Sequence, residues 1–252
     1  MGTSPPVAFV TGTSSGLGRG LARVLLADGW LVHGCSRRPC DLDGLRHARI
    51  DLADHAAVGP ALDALLGGLP RLDLVVLNAG VLGRIRHLTE TPLEDLRAIF
   101  EVNVWANKTV MDWLHRWGRP VRQVVMISSG AAVLGNKGWG GYALSKAALN
   151  MLARLYAHEF PDTHITALAP GIVDTPMMDH LCEEADAETF PALRRLRAAR
   201  GTPAMPGPEE AARRVVSVLG SLRERPSGSF VDIREILDPE AYAALYGRPA
   251  GR

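Results

Sequence analysis

Cysteine is scarce in this chain of 252 residues: Cys35, Cys40 and Cys182 are odd in number, and none falls in a CxxC spacing. A disulfide framework is therefore not expected, and a reducing, cytoplasmic setting is the simpler one. The eight histidines form no HxxxH or HxH pair, so no metal site is expected. Residues 1–6 lack the charged-then-apolar order of a secretory leader, and no apolar run reaches the roughly 18–20 residues that span a bilayer. An excess of one charge is missing as well. Twenty-eight Lys and Arg against 27 Asp and Glu leave a net charge of +1, without the basic face that a nucleic-acid partner requires. The expected partner is a small molecule, with neither nucleic acid nor membrane.

What is present is an ordinary globular composition, 47% apolar and 22% charged. Short apolar runs alternate with helical spacing. Strands are expected at 7–10, 31–35, 48–50, 72–77, 121–127, 165–168 and 230–233, and helices at 17–27, 54–66 and 141–159. The connection after the second strand is too short for a full helix. Pro92, after Thr91, opens a long helical region to about Trp117. Residues 174–200 read as helical but highly charged, before a Gly- and Pro-rich stretch at 201–208. Continuous apolar strands separated by helices imply an α/β fold: one doubly wound, Rossmann-type domain over 1–252, its mostly parallel seven-stranded sheet covered on both faces.

Between the first strand and the first helix stands TGTSSGLG, residues 11–18. Gly12 permits a tight turn, Gly16 lets the backbone approach a pyrophosphate, and Gly18 lets the helix pack closely on the sheet. With Ser14, Ser15 and Leu17 they form the expected phosphate cradle at a helix N-terminus. At the end of the second strand, where a carboxylate would accept hydrogen bonds from the ribose of NAD, the sequence has Ser36, followed by Arg37 and Arg38. A guanidinium suits a 2′-phosphate, and Asp41 and Asp43 come too late to replace the missing acid. The expected cofactor is NADP(H).

Tyr142 and Lys146, in YALSK, lie one turn apart on one helix face. A neighbouring ammonium favours the phenolate and lowers a tyrosine pKa from about 10. Ser128 and Ser129 follow the fifth strand, and period-two alternation lets only one of them face a site.

TGxxxGxG and YxxxK in this order resemble the short-chain dehydrogenase/reductase family, and the resemblance runs from Val7 to about Thr175. It selects Ser129, thirteen positions before Tyr142, as the catalytic serine, and it matches Asn103 in EVNVW to the family's helix-borne asparagine. Asn78, Ala79 and Gly80 resemble its NNAG element, with Leu77 replacing the first asparagine. Asp51 and Leu52 resemble the adenine-contacting pair. In Pro170, Gly171, Ile172 and Thr175 the resemblance implies a grip on the nicotinamide carboxamide. It further implies that Ser129 binds a carbonyl oxygen, that Tyr142 protonates it, and that Lys146 tunes Tyr142 and binds the nicotinamide ribose. Asn103 would hold a water feeding protons to Lys146. A homodimer or homotetramer and a mobile substrate lid at about 175–208 are implied as well.

NKGWGGY, APGIVDTPM and SGSFVDIRE are similar to the sepiapterin reductase and benzil reductase branch. The expected function is NADPH-dependent reduction of a ketone or dicarbonyl. Alternatives are a 3-oxoacyl reductase or alcohol dehydrogenase of the same fold, and a non-catalytic nucleotide sensor. Trp139 either lines the pocket or packs its loop. Arg194, Arg195, Arg197 and Arg200 either recognise an acidic substrate or form a solvated face with Leu193 and Leu196 inward. Trp113 and Trp117, four apart, are core or subunit interface.

Overall fold

Residues 4–183 and 186–247 are described by a computed structural model. Residues 1–3, 184–185 and 248–252, and the side chains of His180, Cys182 and Glu183, lie outside that description, so the expectations about Cys182 and the extreme N-terminus do too. The strands are β1 (Val7–Thr11), β2 (Leu31–Ser36), β3 (Arg46–Arg49), β4 (Leu74–Leu77), β5 (Gln123–Ile127), β6 (His164–Ala169) and β7 (Ser229–Asp232); the central ones are apolar runs buried on both faces, whereas the edge strand β3, RHAR, is polar and partly exposed. They make one sheet in the order β3-β2-β1-β4-β5-β6-β7, every pair parallel. The chain builds from β1 toward one edge, then returns to β4 and builds toward the other. Crossovers diverge between β1 and β4, and a crevice opens at the carboxyl ends of these strands.

The helices are α1 (Gly16–Ala27), α2 (His55–Leu66), α3 (Leu93–Phe100), α4 (Ala106–Trp117), α5 (Ala131–Leu134), α6 (Gly140–Glu159), α7 (Pro176–Glu183), α8 (Ala192–Ala199), α9 (Pro208–Leu222), α10 (Arg234–Leu237) and α11 (Pro239–Tyr246). Strand alternation divides the core between two layers. Phe9, Val75 and Met126 meet Leu62, Met111 and Leu149 of α2, α4 and α6. Val10, Val76 and Val125 meet Leu21 and Leu25 of α1 and Val215 and Leu222 of α9. No helix joins β2 to β3, as the short connection required. No described helix is long and apolar enough to cross a membrane.

Three features that the sequence reading missed or left open are instructive. The helical region after Pro92 is interrupted by a π turn at Glu101–Trp105, centred on buried Asn103; such insertions re-aim side chains and mark functional sites. Trp113 and Trp117 stack at 5.4 Å, and the Trp113 indole donates to Asp63 of α2 at 2.8 Å, which places Trp113 in the core with the partly buried Trp117 against it. Helix α9 was not expected; its start follows the Gly- and Pro-rich stretch and packs on α1.

That packing is close enough to demand glycine. A Cβ on Gly20 of α1 would stand 2.4 Å from the Pro208 carbonyl oxygen. Gly20→Ala is expected to destabilise the fold by about 1–3 kcal/mol through overpacking, read as a lower urea midpoint with an unchanged m-value.

Candidate active site

The crevice is assembled from its floor upward. Thr11, the last residue of β1, accepts with Oγ1 from the backbone N–H of Asn78 (2.9 Å) and of Ala79 (3.0 Å). The Asn78 amide donates back to the Thr11 carbonyl at 3.0 Å, so the ends of β1 and β4 are stitched together. Leu77, where the family pattern has asparagine, is fully buried in the sheet core. Gly12 turns the chain at φ +79, and a Cβ there would meet the Asn78 amide at 2.9 Å. Gly18 packs behind the turn, 2.3 Å from the Gly12 carbonyl oxygen at its Cβ position, and does not line the cleft. Ser15, N-cap of α1, makes no side-chain capping bond, leaving the first amides of the helix to a ligand.

The cleft encloses about 710 Å³. Gly12, Ser14, Ser15, Gly16 and Leu17 form its middle; Ser36, Arg37, Arg38, Asp51 and Leu52 line one end. The Ser36 hydroxyl donates to the Arg38 carbonyl at 2.7 Å and pairs with the His47 imidazole at 2.8 Å. Arg38 reaches back to the Ser15 hydroxyl at 3.1 Å. Asp41 is engaged elsewhere, paired with Arg19 at 2.6 Å. Asn78, Ala79 and Gly80 continue the wall toward Pro170, Gly171, Ile172 and Thr175. Thr175 Cγ2 lies 3.3 Å from where a Gly16 Cβ would sit, which brings the sixth-strand loop over the glycine turn. A glycine cradle, uncapped helix amides and two arginines fit the phosphates and adenosine of a nicotinamide dinucleotide.

The other end holds the reactive groups. Ser129, Tyr142 and Lys146 all line the cleft. Ser128 touches it too, but its hydroxyl turns away to Asn150 at 2.5 Å, whereas the Ser129 hydroxyl accepts from the Ala131 N–H at 3.2 Å and acts on the Tyr142 phenol. Lys146 is buried, donates to the Ile127 carbonyl at 2.7 Å, and lies 5.7 Å from the Tyr142 ring centroid. Asn103 does not line the cleft: its amide accepts from the Val81 N–H and donates to the Val81 carbonyl and the Ser145 hydroxyl. Its Oδ1 and the Lys146 Nζ flank Gly80, 3.1 and 3.6 Å from where a Cβ on that glycine would stand.

The sequence profile described as short chain dehydrogenase matches residues 6–186. The chain belongs to the short-chain dehydrogenases. It is an oxidoreductase of that family, which works with a nicotinamide cofactor, NAD or NADP. Among curated proteins it is similar to an uncharacterized oxidoreductase of Schizosaccharomyces pombe, 30% identical over 75% of this chain and 79% of that one. The benzil reductase ((S)-benzoin forming) of Bacillus subtilis is 29% identical over 91% of this chain and 98% of its own length. A 1-deoxy-11-beta-hydroxypentalenate dehydrogenase of Streptomyces exfoliatus is 37% identical over 69% and 70% of the two chains. Among solved structures, the KRED1-Pglu enzyme superposes with a TM-score of 0.78 at 26% identity, over 90% of this chain and all of that one.

In this dehydrogenase the electrostatics of the Tyr142–Lys146 pair differ from the expectation. Burial raises the Tyr142 pKa, only partly offset by the neighbouring Ser129 hydroxyl; Lys146, bound to a carbonyl rather than to the phenol, does not lower it. Burial also pulls the Lys146 ammonium down to about 8. Trp139 both lines the cleft and packs its loop: it is buried among Leu82, Phe190 and Leu193, with its ring 6.1 Å from that of Tyr142. Of the four arginines in and after α8, only Arg195 lines the cleft. Arg194 and Arg200 hold Glu188 and Asp179, while Leu193 and Leu196 point inward. Arg234 and Leu245 of the C-terminal segment also line the cleft, and sequence reasoning missed both. The only signal was an arginine in SGSFVDIRE.

Lys146 binds fewer protons folded than unfolded once the pH passes about 8, so its contribution to stability rises from there toward the free lysine's 10.5. Lys146→Met is expected to remove this rise, seen as a difference between wild-type and variant urea midpoints measured across that pH window.

Proposed function

We propose that this short-chain dehydrogenase is an NADPH-dependent reductase of ketones or dicarbonyls, acting as one domain. The observation that carries the reading is the meeting of Ser129, Tyr142 and Lys146 at one end of a cleft whose other end presents Arg37 and Arg38 with no acid at Ser36. The bound nicotinamide supplies the hydride. Ser129 holds the substrate oxygen by a hydrogen bond, and Tyr142 releases its proton to that oxygen as negative charge grows there. Burial keeps the phenol protonated at neutral pH, the form a reduction needs. Below about 8 Lys146 is an ammonium, held 5.7 Å from the Tyr142 ring centroid, where it would bind the nicotinamide ribose. Asn103 is a positioning residue that holds Val81 and Ser145, and it would hold a water that feeds protons to Lys146.

The benzil reductase similarity over nearly the whole chain supports a dicarbonyl substrate. Exposed Trp105, Leu144, Met151 and Leu155 on the π turn and α6 support a homodimer or homotetramer. The segment with α7 and α8 serves as the substrate lid, its Phe190, Leu193 and Leu196 resting on Leu82 and Trp139.

Tyr142→Phe is expected to bind NADPH with unchanged affinity, read by fluorescence titration, while losing turnover with benzil by about a hundredfold or more; full turnover would remove Tyr142 from the chemistry. Replacing both Arg37 and Arg38 by Ala is expected to raise the KM for NADPH at least about tenfold while leaving that for NADH nearly unchanged. Equal KM values for the two cofactors in the wild type would overturn the NADPH preference.

A further inference from the structure

The reactive end of the cleft is more positive than reduction of a neutral carbonyl requires. Among the described lining residues the one carboxylate is Asp51, at the adenosine end, whereas Arg234 lines the cleft beside Gly130 and Arg195 lines it from α8, next to Leu196, which packs with Trp139. Arg234 is held as a fixed donor. Its Nε and Nη2 bond the two oxygens of Asp232 at 2.8 and 2.6 Å, and that fully buried carboxylate also accepts from the Arg234 backbone N–H and the Tyr246 hydroxyl. The clamp leaves Nη1 without a partner among the described residues. Nη2 lies 3.7 Å from where a Cβ on Gly130 would stand, and Gly130 directly follows Ser129. A rigid guanidinium thus stands against the residue that follows the catalytic serine.

Arg195 adds a second, uncompensated charge from a different element. It is exposed on α8 and pairs with no carboxylate among the described residues, unlike its neighbour Arg194. Cofactor phosphates do not explain the two residues, because the phosphate cradle lies at the start of α1, with Arg38 joined to it at Ser15. Asp232 neutralises one guanidinium and leaves one positive charge over, which favours an anion over a neutral acceptor.

Resting on the catalytic reading above, we propose that the substrate is a carbonyl compound bearing a carboxylate within a few bonds of the reduced carbon, held by Arg234 from the C-terminal segment and by Arg195 from the lid. The remaining wall, with Leu134, Trp139 and Leu196, suits an aryl or branched aliphatic group on the other side of the carbonyl.

Phenylglyoxylate and its uncharged methyl ester test this, since they share the ketone and the ring and differ in charge. Titration calorimetry on the protein saturated with NADP+ is expected to show the acid binding at least about tenfold tighter than the ester. Arg195→Ala and Arg234→Gln, made separately, are each expected to shrink that preference severalfold, and Arg234→Lys to retain part of it. An ester bound as tightly as the acid by the wild type would overturn the proposal. So would variants that weaken both ligands equally, because a merely structural arginine does that. Turnover separates the two readings: acid bound with this preference but never reduced supports the anion site and sinks the reductase, while ester reduced with the acid ignored does the reverse.

Discussion

A single buried amine organises the reactive end of this molecule. Lys146 has lost nearly all contact with water, and its ammonium is bound to the carbonyl at the end of β5 at 2.7 Å. Burying a charge is costly unless it is paired or hydrogen-bonded, which explains why its pKa falls to about 8. That bond pins α6 to the sheet. From it Tyr142 follows one helical turn earlier, and Ser129 two residues beyond Ile127, so phenol, hydroxyl and amine share one rigid frame. The π turn around Asn103 braces the same frame from behind through Val81 and Ser145. Preorganisation of this kind lets donors act without rearrangement as charge develops.

The second half of the frame is the stitch between β1 and β4. Thr11 satisfies two backbone amides of the next strand with one hydroxyl, and Asn78 returns a bond to the Thr11 carbonyl. The glycines of the following turn are then forced by crowding rather than by flexibility, since a Cβ on Gly12 or Gly18 would enter occupied space. Strand order places this stitch at the switch point, where an open parallel sheet leaves room for a ligand.

Charge is distributed along the cleft as deliberately as shape. Arg37 and Arg38 stand at one end, Arg195 and Arg234 at the other, and Asp51 is the one described carboxylate on the lining. A chain with a net charge of only +1 therefore carries a positive groove, which attracts anionic ligands and speeds their encounter. Overall composition hides this, because a net charge says nothing of which charges face the cleft.

Much of this was legible beforehand. Strand runs such as 7–10 and 165–168 declare themselves because both faces are buried, and the glycine turn because its position between strand and helix admits few alternatives. Tyr142 and Lys146 were readable because helix geometry alone puts residues four apart on one face. The state of those groups was not readable: an ammonium beside a phenol should lower its pKa, yet burial and a carbonyl partner reverse the outcome. Nor was the selection of Arg195 from four arginines, or the arrival of Arg234 beside Gly130. Local pattern thus determined the elements, their parallel order and the identity of the chemical groups, because these depend on neighbours in sequence. Tertiary structure alone decided desolvation, pairing and which charges face the cleft, because each depends on atoms brought together from distant parts of the chain.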